Sequence, residues 1–164
     1  MNNKRGQHTT SIPFGIIFSI ILIVFFIVIA FIAIRFFLDL GQVTEVELFY
    51  DRLQEKIDTV WRGQSSETSF KMELPKKIEK VCFGNLTNTI TNRADHEVIK
   101  KDPKYSSEHN IFLIPPEATG ETPSKILNHI NISIITQDRN PYCVRSTEDL
   151  RIKKDFYDVN VIIQ

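Results

Sequence analysis

From Ile12 to Ile34 the chain runs 23 residues without a charged side chain, and Ser19 is the only hydroxyl among them. Seventeen positions between Phe14 and Ile34 are Ile, Leu, Val or Phe. As a helix rising about 1.5 Å per residue, the run spans about 34 Å, enough to cross a hydrocarbon core. At roughly 0.4 kcal/mol for each such side chain, insertion is favoured by about 7 kcal/mol. A helix apolar on every side must be buried all round, and 164 residues supply too little protein to do it. The stretch also exceeds a secretory h-region, and Ala30 and Ala33 do not form a small-x-small cleavage pair. The pattern predicts a transmembrane helix over residues 12–38 that stays attached.

The period then changes. Val43, Val46, Phe49, Tyr50, Leu53, Ile57, Val60 and Trp61 fall within an arc of about 120° on a helical projection, with acidic residues elsewhere. Gly63 follows as a stop. Thr44 and Glu47 have the spacing of a capping box, Val43 and Leu48 that of its hydrophobic staple, and Gly41 stands just upstream. These signals favour a break or kink at residues 41–44, followed by an amphipathic stalk helix within 39–63; because a glycine costs only about 1 kcal/mol inside a helix, one kinked continuous helix stays open.

Beyond residue 63 alternation dominates. Phe70, Met72 and Leu74 form one apolar face; Ile78–Phe83 reads as a second strand, with Gly84-Asn85 as a hairpin turn into LTNTIT. Asn110–Ile114 is a short strand ended by two prolines. Ile130, Ile132 and Ile134 alternate, as do Tyr157, Val159, Val161 and Ile163, while Glu117–Ser124 reads as a loop. The predicted fold is α+β: an N-terminal transmembrane helix, an amphipathic stalk helix, and a small antiparallel β-sheet domain over 64–164 packed on that stalk.

Twenty basic residues balance twenty acidic ones, so nothing attracts nucleic acid. Lys4 and Arg5 flank the apolar run on one side, against Arg35 and the more distant Arg52 on the other. That small excess predicts a cytoplasmic amino terminus and residues 35–164 outside the cell membrane. The even pair Cys82 and Cys143 suits an oxidising compartment and a disulfide closing about sixty residues. Neither cysteine has zinc-finger spacing. Asn85-Leu86-Thr87 and Asn131-Ile132-Ser133 are sequons for N-glycosylation.

Residues 1–11 form a short basic leader, MNNKRGQHTTS. Its Lys4-Arg5-Gly6-Gln7, placed ahead of a hydrophobic helix, resembles the processing site of archaeal type IV pilins and their relatives. The leader also resembles those of small single-span proteins of archaea. The resemblance implies peptidase cleavage between Gly6 and Gln7 and packing of the helix into a filament core; it covers only the leader and anchor. Two departures keep an uncleaved anchor in view. Ser11 stands where pilins carry a glutamate, and the apolar run opens late, with Pro13.

The small residues Gly15, Ser19, Ala30 and Ala33 project within about 60° of one another, a face on which helices can approach closely. The expected partners are the lipid bilayer and either a second copy or another membrane protein. No P-loop, GxSxG, GxGxxG or HExxH is present, and His8, His96, His109 and His129 are scattered. No cofactor, metal, small-molecule ligand or catalytic residue is predicted. The expected function is that of a membrane-anchored extracytoplasmic structural or interaction protein, in its sharper form a pilin-like filament or pseudopilus subunit. The alternative is an uncleaved binding module or accessory subunit of an envelope complex.

Overall fold

The computed structural model describes residues 11–164, and the side chains of all these except residues 11–13, 38–40 and 42. The fold is α+β, with a long apolar helix at its amino-terminal end followed by antiparallel sheets. The chain divides between Asp39 and Leu40 into two compact units.

Helix α1, Ser11–Arg62, begins in the first unit and ends in the second. Within it, Phe14–Phe37 is 24 residues long, apolar enough to span a bilayer, and buried nowhere along its length. The helix runs without interruption through residues 41–44, so of the break or kink expected there it shows no break. Gly41 costs only about 1 kcal/mol inside a helix, too little to end one without other help. The capping signals therefore fall in a helix interior, and Leu48 is exposed.

In the second unit α1 contributes Val46, Phe49, Tyr50, Leu53, Ile57 and Val60 to the main apolar cluster. Their spacing of three or four residues puts them on one stripe. Two sheets supply the rest, correcting the expectation of one. Strands β1 (Ser66–Lys71), β6 (Asp149–Lys154) and β7 (Ile162–Ile163) form the first, in the order β1-β6-β7. The second is ordered β4-β3-β2-β5, from β2 (Lys80–Phe83), β3 (Ile111–Ile114), β4 (Ser124–Lys125) and β5 (Tyr142–Arg145). Every pairing between these strands is antiparallel. Strands β5 and β6 are joined by a tight turn, Glu148 N–H to Arg145 O, yet they enter different sheets. Leu150 and Ile152 of β6 and Val81, Phe83, Ile111 and Leu113 of the other sheet meet in the same cluster as the helix stripe.

Three predicted strands take other forms. LTNTIT is an irregular loop, followed by helix α2 (Arg93–Lys101), whose Asn92 side chain caps the Asp95 N–H. The isoleucine alternation at 130–134 is broken because Asn131 caps the Ile134 N–H, winding Ile132–Ile135 into the short helix α3. Only Ile130 keeps a strand contact, a bridge to Val161. Near the carboxyl end, Asp158 N–H bonds Asp155 O, making a turn that leaves Tyr157 and Val159 exposed and shrinks the strand to β7.

The segment Glu117–Ser124, read from sequence as a loop, is tightly held. Ala118, Thr119 and Ser124 are buried. Thr122 Oγ1 donates to Glu47 Oε1 at 2.6 Å and accepts nothing from Tyr50, whose hydroxyl donates instead to Thr122 O at 3.2 Å. Gly120 has φ +72°, and a Cβ there would lie 2.5 Å from Val43 Cγ2, so the position needs glycine on both counts.

Candidate functional site

Cys82 and Cys143 face each other directly across β2 and β5, with Cα atoms 4.0 Å apart, and are joined by a disulfide. Cys82 is fully buried and Cys143 half-buried. A second, smaller apolar cluster surrounds them, built from Ile99 of α2 and from Phe112 and Ile114 of β3. The Asn92 cap that starts α2 brings Asp95 onto the same side. Its carboxylate accepts from Lys80 Nζ at 2.6 Å and from Asn92 Nδ2 at 2.8 Å. Burial pushes the Asp95 carboxyl up, but the hydrogen bonds from Lys80 and Asn92 outweigh it and hold it below its ordinary value.

Among the described residues, Cys82, Asp95 and Cys143 form a group whose ligand atoms lie within 4.8 Å of one another. Joined in a disulfide, the two sulfurs are not thiolates and have no charge to offer a metal. The arrangement is a structural clasp: a covalent bridge between strands, closed over by a capped helix and an ion pair.

Next to the clasp lies the loop from Gly84 to Asn92, organised by one side chain. Asn140 is 3% exposed, and its Nδ2 donates to Asn85 O at 2.8 Å and Thr89 O at 3.1 Å. Its Oδ1 accepts from Asn85 N at 3.2 Å, and its backbone carbonyl accepts from the amides of Thr91 and Asn92. Gly84 packs against the same place, where a Cβ would lie 3.0 Å from Pro141 Cβ. The loop borders a largely polar hollow lined by Asn85, Thr87, Glu108, His109 and Asn110, with Ile132 of the second sequon also on its wall.

The histidines serve separate surroundings. His129 stacks on Trp61 with ring centroids 3.8 Å apart, and its Nδ1 lies 3.0 Å from Asp58 Oδ1. That hydrogen bond is the main cause of a lowered Asp58 pKa. His109 Nδ1 lies 2.8 Å from the buried Ser124 hydroxyl, which also accepts the Ser106 N–H. Such a pair ties loop to strand. His96 sits apart on α2.

Of the residues singled out from sequence, Lys4, Arg5, Gly6 and Gln7 lie outside the described residues. Gly15, Ser19, Ala30 and Ala33 are exposed along α1, and a Cβ at Gly15 would meet nothing within 4 Å. Asn85 and Asn131 are both half-buried and differ in their bonding: Asn85 Oδ1 accepts from Thr87, whereas Asn131 Oδ1 accepts the Ile134 N–H. Sequence reasoning missed Asn92, Asp95 and Asn140. The Asn92-x-x-Asp95 spacing is a cap signature and was visible; nothing local marks Asn140, whose partners are about fifty residues away. No protein family, no curated protein and no solved structure matches the chain.

Proposed function

We propose that this chain is a single-span membrane protein that displays the part of the chain following the span outside the cell as a structural or interaction domain, with its amino terminus in the cytoplasm. The observation that carries the reading is the Phe14–Phe37 stretch, a 24-residue apolar helix with none of its length buried by the protein itself. Leaving those side chains in water would cost on the order of 1.5 kcal/mol or more each, so lipid or another apolar helix must cover them. The disulfide supports an outward domain, because such bonds persist in oxidising compartments. The stripe from Val46 to Val60 serves as the spine on which the sheets pack, so that one helix both anchors and supports the domain.

In its sharper form the proposal makes the chain a pilin-like subunit, cut between Gly6 and Gln7 and assembled through the face carrying Gly15, Ser19, Ala30 and Ala33. The second form, an uncleaved anchored module or accessory subunit, is favoured by Ser11 and Pro13, which depart from the pilin pattern. Neither form assigns the chain a reaction.

Intact mass of the protein purified from its native membrane separates the two. A chain beginning at Gln7 supports processing and a filament or pseudopilus. A chain keeping Met1–Gly6 in a host with an active prepilin peptidase removes that form. Protection of the domain from external protease, lost only on lysis, would refute the outward orientation.

A further inference from the structure

We infer that Asn85 is an acceptor for an N-linked glycan in the folded protein and that Asn131, although it carries the same motif, is not. The inference rests on the outward location proposed above.

Asn85 lies in a loop without regular structure, where Thr87, Asn88 and Thr89 are exposed and leave room for a bulky substituent. Its backbone N–H and C=O are both bonded by the Asn140 side chain, and its C=O also accepts from Asn88 N at 3.2 Å, closing a turn around the sequon. The Asn85 side chain is poised as well. Its Oδ1 accepts from Thr87 N at 3.0 Å and from Thr87 Oγ1 at 2.6 Å, an Asx turn closed by the hydroxyl of the sequon itself. Those bonds are made by the carbonyl oxygen, and Nδ2 makes no hydrogen bond among the described residues.

The chemistry favours this arrangement. An amide nitrogen is a poor nucleophile because its lone pair is delocalised onto the carbonyl oxygen. Two donors at Oδ1 stabilise the form in which Nδ2 has given up a proton and the oxygen bears the charge, which frees a lone pair on nitrogen. Nδ2 then attacks the anomeric carbon of an oligosaccharide carried on a polyprenyl phosphate or pyrophosphate. The carbon–oxygen bond to the phosphate breaks, the lipid phosphate leaves with the electron pair, and a carboxylate of the transferase takes the proton. A sugar seated on Asn85 would meet the hydroxyl, carboxylate and amide groups of the adjoining hollow.

Asn131 is engaged differently. Its Oδ1 caps α3 through the Ile134 N–H at 3.2 Å, and its own N–H bonds Val161 O at 2.7 Å. The sequon hydroxyl, on Ser133, belongs to that helix. Presenting Asn131 to a transferase with its oxygen held by the sequon hydroxyl would require unwinding α3.

The test uses the full-length, oxidised protein in membranes, expressed in cells with an N-glycosylation route, beside a version carrying an added Asn-Gly-Thr acceptor after Gln164. Glycopeptide mass mapping should find the sugar on Asn85. It should vanish in Asn85→Gln and Thr87→Ala and persist in Asn131→Gln. Purified folded protein incubated with an oligosaccharyltransferase and lipid-linked donor should gain sugar at Asn85, and at Asn131 only after reduction and denaturation. Sugar on Asn131 of the folded chain, or an unmodified Asn85 beside a modified tag, overturns the inference and leaves the outward location intact. If tag and Asn85 both stay bare in those cells, the outward location fails and the inference with it.

Discussion

Replacing both Cys82 and Cys143 with alanine removes a bridge between residues 61 apart in sequence. In the chain-entropy treatment, opening a loop of that length gives the unfolded state enough freedom to lower stability by about 4 kcal/mol. The folded state should survive, because β2 stays hydrogen-bonded to both β3 and β5 and the cysteines face each other in register. The assay is guanidinium unfolding of the full chain in detergent, followed by the fluorescence of Trp61, the only tryptophan, which is stacked on His129. With a slope of roughly 3–4 kcal/mol per molar for a domain of this size, the midpoint should fall by about 1 M with the slope little changed. Wild-type protein reduced before unfolding should fall by a similar amount. A midpoint shift under about 0.3 M in both samples would refute the reasoning, since the unfolded chain would then gain little from opening the loop.

Further outcomes follow from other contacts. Gly120→Ala should destabilise by about 2 kcal/mol or more, combining left-handed backbone strain with the clash on Val43. Val43→Ala should recover part of that loss but not the backbone share, as a double-mutant cycle would read. Asn140→Ala strips a buried amide from Asn85 and Thr89 and should cost about 3 kcal/mol, with faster amide exchange across residues 84–92. The carboxyls of Asp95 and Asp58 lie below their ordinary 3.8 in the folded state. A lowered folded pKa means protons bind the unfolded chain more readily, so each contribution is complete above about pH 5 and is lost as pH falls through the folded value. Asp95→Asn should therefore flatten part of the acid limb of the stability profile measured between pH 5 and 2.

Several features were written locally. An uninterrupted apolar run is helical and membrane-length in any context, because its own side chains and backbone bonds meet both requirements. The stripe from Val46 to Val60 was legible for the same reason, since helical period is a property of adjacent turns. The even cysteine pair suggested a bridge, but only the register of β2 against β5 sets the two residues opposite each other.

Where local signals competed, one local bond outweighed another: Thr44 and Glu47 spell a cap, yet the helix continues through them, and alternating isoleucines spell a strand, yet the Asn131 side chain caps the Ile134 N–H and winds them into α3. The division into two sheets is not encoded at any single turn, because β5 and β6 are neighbours in sequence and part only through pairing with β2 and β1. At the candidate site both kinds of contact act. Both sequons read alike in sequence, and they differ in two ways: locally, Thr87 bonds the Asn85 side chain while a helix N–H occupies that of Asn131, and at long range Asn140 holds the Asn85 backbone. Sequence determined which segments are apolar and at what period; long-range pairing determined how the strands divide between two sheets and what holds the Asn85 loop, because both depend on partners far apart along the chain.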